Sequence, residues 1–267
     1  MCGIAGFIGG SASIVMRKKN ILNMVDAIKH RGPNDHGFWC DNNSSLCFGH
    51  RRLSIVDLSL NGHQPMLSNS NRYVIVFNGE IYNHLSLRKK LDDSGYNIAW
   101  KGGSDTETLL SCIDIWGLEK TIKLCNGMFA IALFDKKKNS IYLTRDRLGE
   151  KPLYYGVQNG IFMFGSELKA IKAHPKFQGE IDRKSVALQL KYSYVPTPRS
   201  IYKEIKKLTP GTILKVDIEE SYLNIDAIKN PKSYWSLEEV ARQSKTNIYT
   251  GSEIEALDEL GCLLSHS

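Results

Sequence analysis

Met1-Cys2-Gly3-Ile4 opens the chain and places a thiol directly after the first methionine. Removal of Met1 would make Cys2 the N-terminus, so that a single residue carried both a nucleophile and a base. A thiol has a pKa of about 8.5 and a free α-amine one of about 7.7 to 8.0, so the amine can accept the thiol proton near neutral pH. The stretch therefore indicates a self-contained nucleophile–base pair, and we take the rest of the chain to be organised around it.

The composition bounds the class of protein. The chain has 267 residues, of which 42% are hydrophobic, enough for one large domain or one domain with an extension. No run approaches the roughly 18 to 20 apolar residues of a membrane span, and no signal peptide is recognisable, so we expect a cytoplasmic protein with no membrane partner. The net charge is +7, but the basic residues form short, dispersed runs without a nucleic-acid module, so no nucleic-acid partner is predicted.

The six cysteines are widely scattered, with no C-x-x-C pair and no matching histidine spacing. Zinc sites and disulfide frameworks usually show such patterns. We therefore predict reduced, mostly buried thiols, with neither a metal site nor a disulfide framework.

Hydrophobic periodicity predicts a mixture of strands and helices. Apolar runs predict strands at 4–8, 37–40, 46–50, 73–77, 129–134, 141–144, 153–157 and 161–164, and a turn with a final strand within 208–216. Apolar residues three and four apart predict helices at 15–28, 85–93, 105–116, 182–192 and 252–264. The order of these elements indicates an α+β fold rather than alternating βαβ units.

Local signals mark the ends of several elements. The dipeptide Asn78-Gly79 favours a tight turn after the strand that ends at Phe77. Ser104 and Glu107 have the spacing of a capping box at the start of a helix. The segments 136–139 and 158–160 predict successive antiparallel hairpins.

Six ordered motifs resemble one family. They are MCGIAG at 1–6, HRGP at 30–33, GHRRLSIVD at 49–57, FNGEIYN at 77–83, GSDTE at 103–107 and RDRLGEKPLYY at 145–155. Together they resemble the glutaminase domain of glutamine-hydrolysing asparagine synthases, a class II glutamine amidotransferase. The resemblance implies the fold of the N-terminal-nucleophile hydrolases, an αββα sandwich of two antiparallel sheets between helices.

The resemblance also implies chemical roles. Cys2 would attack the carboxamide carbon of L-glutamine, release ammonia and leave a γ-glutamyl thioester that water hydrolyses to glutamate. The side-chain amide of Asn78 and the backbone N–H of Gly79 match the family's oxyanion-hole donors. A glycine at position 79 would leave the approach to substrate free of a Cβ.

Three further residues match the family's substrate pocket. Arg52 would hold the glutamine α-carboxylate with its guanidinium fork. Glu80 and Asp105 would surround the α-ammonium, so that the pocket requires a free amino acid. Arg51 does not match the motif and is expected to face solvent.

The remaining motif residues receive plainer interpretations. For His30, Arg31 and Asp146 we predict packing and hydrogen bonds that fix loops rather than catalysis. His50 and His63 are not assigned as a base, because the terminal amine fills that role.

The ammonia acceptor is a separate question. In the family, ammonia serves the ATP-dependent conversion of aspartate to asparagine by a synthetase domain, supplied in cis or in trans, which this sequence would lack. No cofactor is implied for the glutaminase domain, and ATP with Mg²⁺ is implied only for the synthetase domain, since 102–105 lacks the serine and the preceding strand of a phosphate loop. The expected division is a glutaminase domain at 2–218, a linker at 219–251, and the first helix of the synthetase domain at 252–267.

Alternatives stay open at this point. The glutaminase domains of glucosamine-6-phosphate synthase and of the amidotransferase that opens purine synthesis would share Cys2 and the Asn-Gly pair, but they differ at the arginine motif. The chain could amidate another acceptor, or could be a non-catalytic scaffold that keeps the fold. A scaffold predicts the loss of a nucleophile or pocket residue, and none is lost. Self-association into a homodimer is also left open.

Overall fold

The computed structural model describes residues 1–218, 228 and 230–265. The chain forms two compact units, Met1–Tyr234 and Trp235–Ser267. The strands of the described residues are β1 (Gly3–Ile8), β2 (Asp35–Cys40), β3 (Cys47–Arg52), β4 (Met66–Leu67), β5 (Tyr73–Ile81), β6 (Gly127–Asp135), β7 (Ser140–Arg145), β8 (Tyr154–Gln158), β9 (Ile161–Gly165), β10 (Ile205–Lys207), β11 (Thr212–Asp217) and β12 (Lys232–Ser233). The α-helices are α1 (Ile14–Asp26), α2 (His84–Asp93), α3 (Asp105–Trp116), α4 (Leu118–Leu124), α5 (Leu168–Lys172), α6 (Arg183–Tyr192), α7 (Leu237–Ser244) and α8 (Glu253–Ser265).

The strands of the first unit form two six-stranded sheets. The first has the order β10-β8-β9-β1-β3-β2, and the second has the order β12-β11-β7-β6-β5-β4. Neighbouring strands are antiparallel in both sheets. The predicted α+β class with two antiparallel sheets is therefore confirmed.

The two sheets pack face to face, and helices cover their outer faces. Along β1, Ile4 and Ile8 join the apolar core between the sheets, whereas Ala5 and Phe7 join a second core with α1 and α5. This division follows from the alternation of side chains along a strand. Helix α3 packs on β5 of the second sheet. The layers are therefore helix, sheet, sheet, helix, and β1 and β5 lie on facing sheets.

The predicted turn at Asn78-Gly79 is wrong. Strand β5 continues to Ile81 and pairs with β6 along its whole length. A Cβ on Gly79 would lie only 2.2 Å from the carbonyl oxygen of Met128, so glycine is needed here for the close approach of the neighbouring strand. The local turn preference is overridden because pairing with a buried central strand satisfies the backbone of the whole segment.

The prediction of reduced thiols is wrong for one pair. Cys40 and Cys47 form a disulfide, with Cα atoms 4.2 Å apart. The two residues face each other directly across the β2–β3 ladder. Their separation of seven residues matches no short cysteine motif. The β2–β3 hairpin nevertheless places the two cysteines opposite each other. Of the free thiols, Cys2 is half-buried and Cys262 is exposed.

The predicted capping box at α3 is wrong, although Ser104 does cap the helix. The side-chain oxygen of Ser104 accepts a hydrogen bond from the N–H of Thr106. The Glu107 carboxylate accepts from the N–H groups of Lys101 and Gly102 instead of returning to Ser104. The preceding loop, rather than the cap, therefore uses the glutamate.

Several other expectations can be compared with the fold. Both predicted hairpins are present, joining β6 to β7 and β8 to β9, but β7 and β8 lie in different sheets. The short elements α4, β4 and β10 were not predicted. Strand β12 and helix α7 lie within the stretch predicted as a linker, and β12 pairs with β11. None of the helices in the described part of the chain has the length and hydrophobicity of a membrane span.

The last predicted helix is confirmed as α8. Its apolar residues are largely exposed: Ile254, Leu257, Leu260 and Leu264.

Candidate active site

A cleft opens in the first unit. All of the residues that the sequence predicted for the site line this cleft: Cys2, Arg52, Asn78, Gly79, Glu80 and Asp105. The fold therefore brings together Cys2, just before β1, and residues from β3, β5 and α3 that are far apart in the sequence.

Cys2 directly precedes β1 and its thiol is held by the backbone of Leu53. The N–H of Leu53 donates to Sγ at 3.4 Å, and Sγ lies 3.6 Å from the carbonyl oxygen of the same residue. The Nε of Arg31 donates to the carbonyl oxygen of Cys2 at 2.9 Å. The thiol and the carbonyl group of Cys2 are thus each held by a residue from another segment.

Burial opposes ionisation of the Cys2 thiol. It raises the pKa of the thiol, while the Leu53 N–H and the nearby positive N-terminus act in the opposite direction. Burial also lowers the pKa of the N-terminal α-amine, carried here by Met1. A thiol whose pKa is raised needs a base nearby, and an amine whose pKa is lowered can act as one near neutral pH.

The open edge of β5 presents one backbone donor to the cleft. The N–H of Phe77 donates to Oε1 of Gln64 at 2.7 Å, and that of Ile81 donates to Oδ2 of Asp105 at 3.0 Å. Gly79 lies between them, and strand alternation points its N–H to the same edge. Among the residues that the structure describes we find no acceptor for this N–H. It is therefore available to a molecule in the cleft.

The contacts of the neighbouring strand β6 also indicate that the Gly79 N–H points away from β6. Phe129, which faces Gly79, donates its N–H to Oδ2 of Asp146 at 3.1 Å, and its carbonyl oxygen accepts from the N–H of Asp146 at 2.9 Å. Phe129 therefore turns its backbone groups away from β5. The Gly79–Phe129 pair is of the kind without mutual hydrogen bonds, so the sheet does not use the Gly79 N–H.

The side chain of Asn78 points between the two sheets. Val74 and Val76 belong to the core between the sheets, and residue 78 lies on the same face by alternation. The side chain is 1% exposed, and within the described residues neither its Oδ1 nor its Nδ2 has a hydrogen-bond partner. An unpaired buried amide costs about 1–3 kcal/mol and is rare in folded proteins. The orphaned amide therefore points to a ligand in the cleft.

Arg52 is buried at the end of β3 and is partly occupied by the loop that follows. Its Nη1 donates to the carbonyl oxygen of Ser59 at 2.8 Å, and its Nη2 donates to that of Asp57. A guanidinium has five N–H donors, so one N–H on each Nη and the Nε–H remain for a ligand. A Cβ on Gly62 would overlap Nη2, so this glycine makes room for the guanidinium.

Asp105 and Glu80 supply the acidic side of the cleft. Asp105 is 6% exposed, and burial raises the pKa of its carboxyl, while the hydrogen bond from Ile81 acts in the opposite direction. Its position in the first turn of α3 also favours negative charge through the helix dipole. Both residues line the same cleft as Arg52.

Asp57 links two loops that line the cleft, and no role was predicted for it. Its carbonyl oxygen accepts from Arg52, and its carboxylate accepts from the N–H of Ser59 at 2.7 Å and of Gly103 at 3.1 Å. The pKa of the Asp57 carboxyl is lowered most by a hydrogen bond from the Ser59 hydroxyl, and further by the N–H groups of Ser59 and Gly103. The loop that holds Arg52 is thus tied to the loop that opens α3 with Asp105. The sequence offered one signal for a role of Asp57, which is its place at the end of the GHRRLSIVD motif.

The solvent-facing prediction for Arg51 is wrong. The side chain is buried and donates to the carbonyl oxygen of Val25 at 3.1 Å and to the carboxylate of Asp26. Both acceptors lie at the end of α1, where carbonyl groups lack helical partners and favour a cation. Arg51 therefore fastens α1 to the first sheet, while its neighbour Arg52 points into the cleft.

The loop-fixing roles predicted for His30, Arg31 and Asp146 agree with their contacts. His30 and Arg31 both bind the carboxylate of Glu167, at 2.9 Å and 3.0 Å. Asp146 accepts backbone hydrogen bonds from the loop after β7. None of these three side chains lines the cleft.

The two histidines near the motifs also stay outside the cleft. His50 is completely buried, and burial lowers its pKa to about 3, so its imidazole is neutral and its Nε2 lies 3.1 Å from the carbonyl oxygen of Phe77. His63 pairs with Asp35 at 2.7 Å. Neither is positioned to take a proton from Cys2.

The glycine pair at 102–103 does not fit a nucleotide phosphate. The N–H of Gly102 donates to the Glu107 carboxylate, and the N–H of Gly103 donates to the Asp57 carboxylate. A phosphate placed here would meet two carboxylates instead of free N–H groups. Over the described residues, no cluster of three or more His, Cys, Asp or Glu side chains could hold a metal ion.

Comparison with known proteins adds a family and a fold. A family model described as a glutamine amidotransferase domain matches residues 1–235. The chain is 40% identical over 238 residues to putative asparagine synthetase (glutamine-hydrolyzing) 2 of Methanocaldococcus jannaschii, covering 82% of the chain and 45% of that protein. It is 36% identical over 241 residues to asparagine synthetase (glutamine-hydrolyzing) 3 of Bacillus subtilis, covering 88% of the chain and 38% of that protein. The chain thus spans less than half the length of these curated relatives.

A solved structure with a similar fold is glutamine phosphoribosylpyrophosphate amidotransferase from Bacillus subtilis. The TM-score is 0.64 at 16% identity, with 88% of this chain and 49% of the other covered. At this identity the likeness concerns the fold alone. It confirms the predicted N-terminal-nucleophile hydrolase architecture.

Proposed function

The chain belongs to the glutamine amidotransferase domain family, and on that premise we propose that it hydrolyses free L-glutamine to glutamate and ammonia through a thioester on Cys2. The observation that carries this proposal is the pair of unused donors beside the nucleophile. The buried Asn78 amide has no partner among the residues described, and the Gly79 N–H faces the same cleft. Unpaired, fixed donors of this kind suit an oxyanion that exists only during the reaction.

In the proposed reaction, the N-terminal amine of Cys2 takes the proton of the thiol. The sulfur then bonds to the carboxamide carbon, and the carbonyl electron pair moves onto oxygen, where Asn78 and Gly79 donate hydrogen bonds. The C–N bond breaks as the protonated amine returns its proton to the leaving nitrogen, giving ammonia and a thioester. Water then attacks the thioester and gives its proton to the amine, a second oxyanion forms, and the C–S bond breaks as the amine returns the proton to sulfur, so that glutamate leaves and the Cys2 thiol is restored.

Arg52, Glu80 and Asp105 would hold the two charged groups on the α-carbon of glutamine. Arg52 retains N–H donors on both Nη atoms, which suits a bidentate bond to the α-carboxylate. The carboxylates of Glu80 and Asp105 suit the α-ammonium. Asp57 would keep these two recognition elements at a fixed separation. The same arrangement excludes a glutamine side chain within a protein, because that residue has neither free group.

The relatives' names support a destination for the ammonia. We propose that it serves the ATP-dependent conversion of aspartate to asparagine by a synthetase domain, in cis or in trans. The domain division into 2–218, 219–251 and 252–267 remains part of this proposal. ATP and Mg²⁺ would bind that other domain.

The proposal is tested by measuring ammonia and glutamate release from a panel of amides. Free L-glutamine should be hydrolysed, whereas Nα-acetyl-L-glutamine and glutamine amidated at its carboxyl group should react at least about 10-fold more slowly, since each loses one charged hydrogen-bonded contact. Equal rates for all three substrates would contradict recognition of the free amino acid. No ammonia release above the rate without protein would contradict the function itself.

Replacing Arg52 with alanine should mainly weaken binding. A hydrogen bond to a charged group contributes about 1.5–3 kcal/mol, which corresponds to a rise in KM of about 10- to 150-fold. Because the clamp acts in ground and transition states alike, kcat should change less than KM. Steady-state kinetics would measure both, with Arg183→Ala as a control at an exposed arginine on α6. A large fall in kcat at unchanged KM would contradict the role.

Met1 removal is expected in the active enzyme, because the amine of Cys2 is the base that the site provides. Intact-mass spectrometry of active protein should show Cys2 as the first residue. A variant that retains its methionine should have little glutaminase activity, since its amine is displaced by one residue from the thiol. Full activity in that variant would show that another group is the base.

A further inference from the structure

Lys151 is a buried lysine of the cleft wall that the reaction described above does not use. Its side chain is 4% exposed, and it lines the same cleft as Cys2. The partner of its Nζ is the Met1 sulfur at 3.3 Å, and a thioether is a weak acceptor. It forms no ion pair with any carboxylate of the described chain. Buried cations without a counter-charge are costly and concentrate at functional sites.

The position of Lys151 is fixed through its backbone. Oδ2 of Asp146 accepts from the N–H of Lys151 at 3.0 Å and from that of Phe129 at 3.1 Å, and Oδ1 accepts from Glu150 at 2.9 Å. Asp146 is 1% exposed. One buried carboxylate therefore fastens the lysine-bearing loop to β6, the strand that faces Gly79. The lysine is held against the reacting end of the cleft rather than on a mobile loop.

The surroundings of the N-terminus contain charges of both signs. They come from the turn after α1, from β3, β5 and α3, and from the loop after β7: Arg31, Arg52, Glu80, Asp105 and Lys151. The Arg31 charge is shared with the Glu167 carboxylate at 3.0 Å. Lys151 differs from the other cations of this set. Among the residues described, the only acceptor for its ammonium group is the Met1 thioether.

The N-terminal amine responds to these charges. Burial is the main cause that lowers the pKa of the Met1 amine; the Cys2 thiol acts against it, and the like charges of Arg31 and Lys151 lower the pKa further. Loss of Met1 removes the thioether that Lys151 contacts. The space that Met1 occupied then lies next to the amine of Cys2.

We propose that Lys151 acts on the reaction through the N-terminus: once Met1 is removed, its positive charge keeps the α-amine of Cys2 in the neutral, proton-accepting form near neutral pH. A fixed like charge disfavours the ammonium form of its neighbour. The same charge favours the thiolate of Cys2. Lys151 is thus a positioning residue that tunes the base and does not itself contact the reacting atoms. This inference rests on the proposed function.

The sign of the expected pH effect follows directly. Removal of the Lys151 charge raises the pKa of the amine, so the base becomes protonated at a higher pH than in the wild type. The acidic limb of the kcat/KM profile of Lys151→Met should therefore move up by about 0.5 to 1 pH unit. Activity on that limb should fall about 3- to 10-fold, and activity above the limb should change less than about 2-fold.

The experiment compares proteins that lack Met1, as checked by mass spectrometry. Wild type, Lys151→Met, Lys151→Gln and Lys151→Arg are assayed for glutamine hydrolysis between about pH 5 and 9. Lys206→Met, at an exposed position on β10, controls for loss of one positive charge. In parallel, the rate of Cys2 alkylation by iodoacetamide is followed over the same pH range in a Cys262→Ser background. Alkylation reports the coupled thiol–amine pair without glutamine.

The outcomes separate the inference from the proposed function. An upward shift of the alkylation profile in Lys151→Met, or in Lys151→Gln if the first variant fails to fold, supports the inference when Lys151→Arg and Lys206→Met retain the wild-type profile. An unshifted alkylation profile overturns it. An equal loss of hydrolysis at every pH, or a change in KM alone, also overturns it and assigns Lys151 to folding or substrate binding. Shifted alkylation without any wild-type hydrolysis overturns the proposed function and leaves the electrostatic coupling standing.

Discussion

Replacing Cys2 with alanine is expected to lower glutamine hydrolysis at least about 10⁴-fold, to the level of the assay background. Removing a nucleophile leaves binding and oxyanion stabilisation in place but removes the covalent route, and losses in other enzymes are of this order or larger. The fold should persist, because Cys2 precedes β1 and its side chain is half-buried. Ammonia release at saturating glutamine measures the effect.

The matched control for this prediction is Cys262→Ser, which changes an exposed thiol on α8 and should retain full activity. A rapid acid quench of the wild type should also trap a glutamyl adduct on the N-terminal peptide, because the thioester accumulates whenever its hydrolysis is slower than its formation. Substantial hydrolysis by Cys2→Ala, beyond a tenth of the wild-type rate, would sink the proposed nucleophile.

Replacing Asn78 with alanine should lower kcat by about 10²- to 10³-fold, the loss found when one side-chain donor of an oxyanion hole is removed. KM should change little, since the donor acts mainly on the oxyanion. The thermal midpoint should stay constant or rise. The buried amide has no partner among the residues described, so alanine removes a polar group that folding leaves unpaired.

Stopped assays of kcat and KM, together with thermal unfolding, test this prediction, and Asn69→Ala serves as the control at an exposed asparagine. The combination of lower kcat with undiminished stability separates a catalytic amide from a structural one. A loss of several degrees in the thermal midpoint with normal kcat would mean that the amide supports the fold instead.

Much of the site could be predicted because its chemistry is local to short motifs. Cys2 is identified by its place after Met1, and Arg52, Asn78, Glu80 and Asp105 are identified by the motifs that contain them. Strand and helix positions were also close to those observed, since hydrophobic periodicity reports which face of an element is buried. The α+β class follows from the order of those elements.

Other features were not predictable because they depend on partners distant in sequence. The Asn78-Gly79 pair has the local signature of a turn, but pairing of β5 with β6 makes it a strand. Cys40 and Cys47 become neighbours only when β2 and β3 are in register. Arg51 is buried because the end of α1 offers it acceptors. In each case a contact beyond the local sequence outweighs the local preference.

Residue identity and local periodicity are enough to locate the proposed nucleophile, the family motifs and the order of strands and helices. Which donors remain free depends instead on how the strands and loops meet in the folded protein. The Gly79 N–H is available because its neighbours Phe77 and Ile81 are satisfied by Gln64 and Asp105 while β6 turns away from it. A hydrogen bond is made or left open by three-dimensional geometry, and no pattern within a single strand records that outcome.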